Sequence, residues 1–367
     1  MIKPRKELEN VVPYQPGKPI EEVKRELGLK DVIKLASNEN ALGPSPKAVE
    51  AMKKELERVN RYPDGGSFYL KEALSSKFSV PKENIVLGNG SDEIIILALR
   101  AFVEPGDEVI VSDPTFLVYG IASAVIGAKK IVVPARDLKY DLEAMARSIT
   151  AKTKMIFIAN PDNPTGTYVS DKEFNAFLEK VPDNTIVFLD EAYYEFAKSE
   201  DYPETISYTK KNDKNVIVAR TFSKAYSLAG LRIGYAFARK DIAEALNKIR
   251  EPFNINSIAQ AAAIAALEDE TYLERSIGIV MEEKKKLYDE LNKLDIKAVP
   301  GETNFILIDT RRDSIEIYNS LLKKGVIVRE MSPWGLKGFI RVTVGLKKEN
   351  ERFIKTFKEV INNRVHS

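Results

Sequence analysis

The stretch that decides the fold is Ile186-Val187-Phe188-Leu189-Asp190-Glu191-Ala192-Tyr193-Tyr194. Its first four residues are all apolar, which is typical of a strand that is buried on both faces of a parallel sheet. Asp190 follows directly, so polar residues begin where the strand ends. Ligands bind at the carboxyl ends of parallel strands. The segment after residue 189 is therefore a candidate functional loop, although an isolated aspartate at this position is also a common helix N-cap.

Six further apolar runs lie on either side of this one along the chain. The segments between several of them carry apolar residues at three- and four-residue spacing, as helices do. This alternation predicts an α/β fold with a mostly parallel sheet that helices cover on both faces. The seven expected strands are 85–87, 109–111, 131–133, 155–159, 186–189, 216–219 and 233–237. The expected helices are 93–102, 116–126, 171–180 and 242–249.

The pattern changes after residues 251–257, and a length of 367 residues suggests about two domains. A long helical stripe between Leu273 and Leu294, followed by short strands, indicates a smaller α+β domain. The first thirty residues are rich in proline and predict an extended arm with one helix at 20–27. We therefore expect an N-terminal arm at 1–31 that packs with the small domain or a dimer partner, a large domain at 32–265, and a small domain at 266–367.

The composition excludes several kinds of catalysis. The chain has no cysteine, and its one histidine is His366 in the terminal tail. A disulfide framework, a thiol nucleophile, a Cys-ligated metal, a Ser-His-Asp triad and an HExxH zinc site are therefore excluded. We expect no metal site, and we expect His366 to be dispensable. Catalysis must use Lys, Tyr, Ser, Arg, carboxylates or a cofactor.

The charge balance argues against two classes of partner. There are 56 Lys and Arg residues against 54 Asp and Glu residues, so no basic excess favours nucleic acid or an anionic membrane. The first ten residues have no apolar signal region, and no run of about 18 apolar residues occurs. These observations predict a soluble, cytoplasmic protein.

Other polar groups follow neighbouring strands in the same way. Taken alone, each has a simpler explanation as a turn, a capped helix or a structural ion pair. They are Ser91 in Gly88-Asn89-Gly90-Ser91-Asp92-Glu93, Asn163 in Asn160-Pro161-Asp162-Asn163-Pro164-Thr165-Gly166, Lys224 in Thr221-Phe222-Ser223-Lys224-Ala225-Tyr226, and Arg232 in Gly230-Leu231-Arg232-Ile233-Gly234.

At one edge of a sheet, these groups complement one another chemically. A desolvated lysine forms Schiff bases, and a helix N-terminus with an arginine binds phosphate. An aspartate in a dry site can keep a pyridine nitrogen protonated. Together the groups describe a site for pyridoxal 5′-phosphate (PLP).

The four motifs around Asn163, Asp190, Lys224 and Arg232 resemble those of the class I/II (fold-type I) PLP-dependent aminotransferases, and the resemblance covers essentially the whole chain. It implies that Lys224 holds PLP as an aldimine and moves a proton between substrate and cofactor. Asp190 would pair with the pyridinium nitrogen, while Asn163 and Tyr193 would bond to the 3′ oxygen. Phe116 would stack on the ring.

The same resemblance implies a phosphate site and a dimer. The residues expected around the cofactor phosphate are Ser91, Asp92 through its backbone N–H, Ser223 and Arg232. Tyr62, in Asn60-Arg61-Tyr62-Pro63-Asp64, would reach the phosphate of the neighbouring subunit, which implies an obligate homodimer with shared active sites. The alternative for Tyr62 is a loop tyrosine that packs locally.

Within the family, Pro13-Tyr14-Gln15-Pro16-Gly17-Lys18, residues 35–40 and 61–64, and residues 223–232 resemble the histidinol-phosphate subfamily. The resemblance implies that glutamate loads the amino group and that imidazole-acetol phosphate receives it. Arg329 and Arg341 would bind the substrate phosphate, Arg341 would also bind the glutamate carboxylate, and Tyr14 would act as a contact and lid.

Three alternatives stay open at this point. An aromatic or broad-specificity aminotransferase would share every cofactor residue. A threonine-phosphate decarboxylase has a similar fold, but it differs in the pattern after the lysine and typically lacks the Pro-Tyr-Gln-Pro-Gly-Lys arm. A non-enzymatic binding module would be expected to have lost Lys224 or Asp190.

Overall fold

The computed structural model describes residues 2–9, 11–210 and 214–362, so His366 lies outside the described residues. The α-helices are α1 Ile20–Leu27, α2 Pro46–Glu55, α3 Phe68–Phe78, α4 Ser91–Phe102, α5 Leu117–Val125, α6 Leu142–Arg147, α7 Asp171–Leu178, α8 Lys240–Ile249, α9 Ser257–Leu267, α10 Glu270–Asn292, α11 Ser314–Lys323 and α12 Lys347–Asn362. The strands are β1 Ile33–Lys34, β2 Ile85–Gly88, β3 Glu108–Asp113, β4 Lys129–Pro134, β5 Thr153–Ala159, β6 Ile186–Asp190, β7 Asn215–Thr221, β8 Gly234–Ala238, β9 Lys297–Val299, β10 Phe305–Asp309, β11 Val326–Ile327, β12 Arg329–Glu330 and β13 Phe339–Thr343.

A seven-stranded sheet forms the centre of the large domain, in the order β2-β8-β7-β6-β5-β3-β4. Only β8 runs against its neighbours, so the predicted mostly parallel α/β sheet is confirmed. Every residue of β6 and β8 is buried, because helices cover both faces. The carboxyl ends of the parallel strands thus lie at one edge, together with the start of the reversed strand β8.

The C-terminal part of the chain contains a second, four-stranded sheet in the order β12-β13-β10-β9, and all of its pairings are antiparallel. Helices α10, α11 and α12 pack on it around a cluster that includes Leu287, Phe353 and Phe357. Near the N-terminus, β1 pairs in parallel with β11, which joins the start of the chain to this region. The division at 1–31, 32–265 and 266–367 stays a prediction.

No helix in the described ranges is long and apolar enough to cross a membrane. The longest helix, α10, has 23 residues, and charged residues such as Glu282, Lys285 and Lys286 interrupt it throughout.

Candidate active site

A cavity of about 500 Å³ opens at the carboxyl edge of the large sheet, where the small sheet faces it. Nearly all of the site residues that were predicted from the sequence line this cavity. Those that line it are Tyr14, Ser91, Asp92, Phe116, Asn163, Asp190, Tyr193, Ser223, Lys224, Arg232 and Arg341. Tyr62 and Arg329 are not among the lining residues.

Lys224 lies just beyond β7 and points its ammonium group into this cavity. Its Nζ donates a weak hydrogen bond to the Ser37 carbonyl oxygen at 3.4 Å and lies 5.8 Å from the Tyr193 ring centroid. Burial and, to a smaller extent, the positive charge of Arg341 together lower the pKa of Lys224 to about 8. At pH 7 about a tenth of Lys224 is therefore a neutral amine, far more than for an ordinary lysine, and this is the form that attacks carbonyl carbons.

Asp190 ends β6 and is almost completely buried. Tyr119 Oη donates to its Oδ2 at 2.8 Å, and the backbone N–H of Ala192 donates to its Oδ1 at 3.1 Å. Burial raises the pKa of Asp190 to about 6, while these hydrogen bonds favour the ionised form. A cationic partner would therefore stabilise the buried carboxylate, and a protonated ring nitrogen would be such a partner.

Tyr193 is held by a residue from the N-terminal region. Asn38 Nδ2 donates to Tyr193 Oη at 2.8 Å, so the tyrosine accepts at this contact and its own proton is free for another acceptor. Thr343 Oγ1 donates to Asn38 Oδ1 at 3.3 Å, which fixes the orientation of the amide. Burial raises the pKa of Tyr193 above its usual value, so it stays a neutral hydrogen-bond donor.

The other end of the cavity is suited to a phosphate group. Helix α4 begins at Ser91, and its N-cap is Gly90, which has no side chain to bond the first N–H groups. A Cβ on Gly90 would lie 2.5 Å from Arg232 Nη2, so only glycine allows the guanidinium to approach this closely. Arg232 Nη1 lies 3.5 Å from Ser223 Oγ, and its Nη2 lies 3.5 Å from the Asp92 carboxylate. Backbone N–H groups, two hydroxyls and a cation meet here, as phosphate binding requires.

Arg341, on β13, brings a second cation to the cavity from the small sheet. It is almost fully buried, and it donates to the Asn163 side-chain oxygen and, at 3.1 Å, to the Ala36 carbonyl oxygen. In the part of the chain that the structure describes, no carboxylate lies within 4.0 Å of it. A buried guanidinium without a carboxylate partner is costly and favours an anionic ligand.

Arg329 lies beside Tyr14, which lines the cavity, and contacts the N-terminal arm. Arg329 Nη2 donates to the Gln15 carbonyl oxygen at 2.5 Å, and its guanidinium carbon lies 5.8 Å from the Tyr14 ring centroid. The Tyr14 ring meets the Phe116 ring edge-on, with 6.4 Å between centroids. The N-terminal arm therefore lies across the cavity beside both Phe116 and the arginines.

Tyr62 lies away from these residues. Its side chain is 82% exposed and stacks on Phe253, with ring centroids 4.7 Å apart. Within one chain, it is thus a surface residue.

Sequence reasoning missed Tyr119, Asn38 and Asp162. Tyr119 lies three positions after Phe116 on the same face of α5, a spacing that could have revealed it. The buried carboxylate of Asp162 accepts from Thr115 Oγ1 at 2.9 Å and from Thr165 Oγ1 at 2.8 Å. It therefore ties the segment that carries Phe116 to the turn that carries Asn163.

A half-buried lysine and a buried aspartate beside a phosphate-type helix N-terminus define a PLP-type transferase site. Residues 30–357 match the family described as "Aminotransferase class I and II", and the chain belongs to this family. Among curated proteins, it is 49% identical to histidinol-phosphate aminotransferase from Moorella thermoacetica, over 97% of this chain and 92% of that protein. It is 46% identical to histidinol-phosphate aminotransferase 2 from Carboxydothermus hydrogenoformans, over 97% and 99% of the two chains.

Among solved structures, histidinol-phosphate aminotransferase from Sinorhizobium meliloti, in complex with pyridoxal-5′-phosphate, superposes with a TM-score of 0.91 at 29% identity. The superposition covers 99% of each chain. Aspartate aminotransferase from Thermus thermophilus with maleate, at 23% identity and a TM-score of 0.84, shares the fold.

Proposed function

We propose that this chain is a histidinol-phosphate aminotransferase, which exchanges an amino group between L-histidinol phosphate and 2-oxoglutarate with PLP as cofactor. The products are imidazole-acetol phosphate and L-glutamate. The observation that carries the proposal is Arg341, a buried cation without a carboxylate partner in the described residues, in the same cavity as Lys224 and Asp190. The similarity to curated relatives of that name, at 46% to 49% identity over 97% of this chain, supports it.

The residues present fit PLP at each of its functional groups. Lys224 offers an amine with a lowered pKa for covalent attachment, and Asp190 offers a buried carboxylate for the ring nitrogen. The close approach of Gly90 and Arg232 leaves the N-terminal N–H groups of α4 beside a cation for the phosphate. Asn163 and Tyr193 supply polar groups for the ring oxygen, and Phe116 supplies an aromatic face.

When bound, PLP supplies an aldehyde carbon for the substrate amine and a ring that takes up the electron pair left when a Cα–H bond breaks. When its amine is not attached to the cofactor, Lys224 Nζ would accept the proton from the substrate Cα and deliver it to the former aldehyde carbon of PLP. Its lowered pKa suits both directions, because a base works best when its pKa is near the operating pH.

Asp190 keeps the ring nitrogen protonated while it is itself ionised. Tyr119 supports this by donating to Oδ2, which favours the carboxylate over the acid. Tyr193 donates its proton to the ring oxygen, because Asn38 already occupies its acceptor side.

Arg341 and Arg329 take the anionic group of whichever substrate is present. A guanidinium binds a phosphate and a carboxylate in the same forked geometry, so one site serves histidinol phosphate and glutamate in turn. Since the two substrates use one site alternately, the kinetics should be ping-pong.

The active sites are shared in a homodimer under this proposal. Tyr62 is one of several large apolar side chains that the single chain leaves exposed between residues 56 and 69. Leu56, Val59 and Tyr69 are 57%, 59% and 74% exposed. A second copy that covers this surface would bury these side chains and bring Tyr62 to the neighbouring phosphate site. We also propose that the enzyme works in the cytoplasm, in keeping with its balanced charge and absence of cysteine.

The test is a panel of amino acceptors with glutamate as the donor. Imidazole-acetol phosphate should exceed phenylpyruvate in kcat/KM by about 100-fold or more, since the carboxylate of phenylpyruvate offers Arg341 and Arg329 less charge and fewer acceptor oxygens than a phosphate does. Comparable values would favour an aromatic or broad-specificity aminotransferase instead. Release of CO₂ from threonine phosphate would favour the decarboxylase.

The assignment of Lys224 is tested separately. Lys224→Ala should abolish covalent attachment of PLP and its visible absorbance band. Lys284 gives a matched control, because burial also lowers its pKa to about 8, while its Nζ donates to the Thr303 carbonyl oxygen at 2.8 Å. Lys284→Met should keep the band, and a band that persists in Lys224→Ala would refute the assignment.

A further inference from the structure

Trp334 is the single tryptophan of the chain, and it lies beside both arginines of the anion site. It ends the 3-10 helix Ser332–Trp334, just before β13, and its side chain is buried. The guanidinium carbons of Arg329 and Arg341 lie 5.0 Å and 6.0 Å from its ring centroid. We propose that Trp334 is a positioning residue, which holds these two guanidinium groups together for the anionic end of the substrate.

Two cations this close need something to offset their repulsion. Burial lowers the pKa of Arg341, and the charge of Arg329 adds to this effect. Neither arginine has a carboxylate within 4.0 Å among the described residues. What surrounds them instead is aromatic: besides Trp334, Arg341 lies 5.1 Å from the Phe305 ring centroid and Arg329 lies 5.8 Å from that of Tyr14. Aromatic faces attract cations without neutralising them, so the positive charge stays available to a ligand.

Hydrogen bonds alone leave the two guanidinium groups weakly fixed. Arg329 has its bond to the Gln15 carbonyl oxygen, and Arg341 has those to Asn163 and Ala36. The Nε of each arginine is buried and makes no hydrogen bond to the described residues, and the same holds for Trp334 Nε1. Their orientation therefore also depends on packing against aromatic rings, and the indole of Trp334 is a ring that both arginines share.

The indole is itself firmly placed. Trp334 belongs to an apolar cluster with Leu307 and Met331, and its backbone N–H donates to the Met331 carbonyl oxygen at 3.0 Å. Leu117, the residue after Phe116, also packs against this cluster. Trp334 thus connects the arginines of the small sheet to the segment that carries the ring-stacking residue.

This inference rests on the proposed function, because it assigns Trp334 to the recognition of a phosphate ester and of the glutamate carboxylate. It predicts a defect in substrate affinity rather than in chemistry. Replacing the π face should weaken binding of both substrates, since both use the same arginines.

The experiment compares Trp334→Leu, Trp334→Phe and the control Met331→Leu as holoenzymes. Trp334→Leu should raise KM about tenfold for both imidazole-acetol phosphate and glutamate, with kcat changed less than about twofold. Trp334→Phe, which keeps an aromatic face, should restore most of the affinity. Met331→Leu alters the same apolar cluster without removing the indole and should leave KM unchanged.

A second measurement uses the fluorescence of the wild-type holoenzyme, in which all tryptophan emission comes from Trp334. Inorganic phosphate should change this emission saturably, and glutamate should compete with it. Unchanged KM values in Trp334→Leu, or emission that does not respond to phosphate, would overturn the inference. If only the amino-acceptor panel failed, the glutamate KM would still respond to Trp334→Leu, so the two failures can be told apart.

Discussion

Tyr119 donates a hydrogen bond from Oη to Oδ2 of Asp190 at 2.8 Å, and both side chains are buried. The tyrosine comes from α5 and the aspartate from the end of β6, so this bond links two elements behind the expected cofactor ring. A donated hydrogen bond is stronger to an ionised carboxylate than to a protonated acid, so the contact stabilises the charged form that a ring nitrogen requires.

Tyr119→Phe should shift the pH dependence of PLP binding. Asp190 must be ionised to pair with the ring nitrogen, so PLP affinity in the cofactor-free enzyme should fall as pH drops through about 6. Loss of the hydrogen bond raises the pKa of Asp190 further, and the fall should begin about one pH unit higher. Titrations with PLP between pH 5 and 8 would measure this.

Tyr140→Phe is the matched control for that shift. Tyr140 is half-buried, and its hydroxyl donates to Asp162 Oδ1 at 3.3 Å and not to Asp190. Its removal should leave the pH at which PLP affinity falls unchanged. If the pH at which PLP affinity falls shifted equally in both variants, the cause would be a general loosening of the structure around the site and not the loss of the hydrogen bond to Asp190.

Arg341→Gln should change both substrate affinity and the titration of Lys224. The charge of Arg341 contributes to the lowered pKa of Lys224, about 8, so its removal should raise that pKa. The neutral amine then forms only at higher pH. The rate at which the cofactor-free enzyme captures PLP should therefore increase at a higher pH in the variant than in the wild type. The KM for glutamate should rise about 10- to 100-fold, because a charged hydrogen-bond partner is lost.

Arg329→Gln separates these two effects. Arg329 is not among the main influences on the pKa of Lys224, so the pH at which the rate of PLP capture rises should change little. The KM should still rise. A normal KM in both variants would show that the arginines are structural.

Mixed dimers test whether Tyr62 acts across the subunits. Lys224→Ala and Tyr62→Phe would each lower activity as pure proteins. In a mixed dimer, one site combines an intact Lys224 with an intact Tyr62 from the other subunit, so mixing should restore a fraction of wild-type activity. Absence of recovery, with dimer exchange verified by mass, would place the action of Tyr62 within its own subunit.

The buried ion pair between Arg220 and Glu191 should dominate local stability. Arg220 Nε lies 2.8 Å from Glu191 Oε2, with 1% and 0% of the two side chains exposed. The guanidinium carbon also lies 3.3 Å from the Tyr194 ring centroid. Glu191→Leu would leave a buried unpaired cation and should lower the free energy of unfolding by about 3 to 5 kcal/mol in denaturant titrations.

The double variant Glu191→Leu/Arg220→Met serves as the control. It removes both charges, so much of the lost stability should return. A double variant as unstable as the single one would indicate that packing, rather than the uncompensated charge, sets the cost.

The sequence was sufficient for the central sheet because its strands are continuous apolar runs with helices between them. The expected strand 155–159 lies within Thr153–Ala159, and the expected helix 20–27 is α1 Ile20–Leu27. Helices α2 and α3 were not predicted, since the segments that form them were not distinguished from loop. Strand β9 has only three residues, and none of them is buried, so it carries no apolar signal.

The residues of the candidate site were likewise only partly predictable from the sequence. Lys224, Asp190 and Arg232 could be predicted, because a charged residue next to a buried strand is conspicuous in the sequence. Trp334 could not, since it is an ordinary core residue by type and acquires a role only through its neighbours in space. Tyr119 was missed although it follows Phe116 by three positions, a spacing that could have revealed it. Asn38 makes its bonds to Tyr193 and Thr343 across 155 and 305 positions of the chain, which no local pattern reveals.

These long separations impose an order on biosynthesis. The backbone N–H of Asn38 donates to Thr343 Oγ1, and Asn304 Nδ2 donates to the Asn38 carbonyl oxygen. The turn that orients Tyr193 can therefore assume its final shape only after almost the whole chain has left the ribosome. PLP captured on an incomplete chain would meet Lys224 and Asp190 without a correctly held Tyr193. A correctly held Tyr193 thus reports that Asn38 and Thr343, 305 positions apart in the chain, have come together.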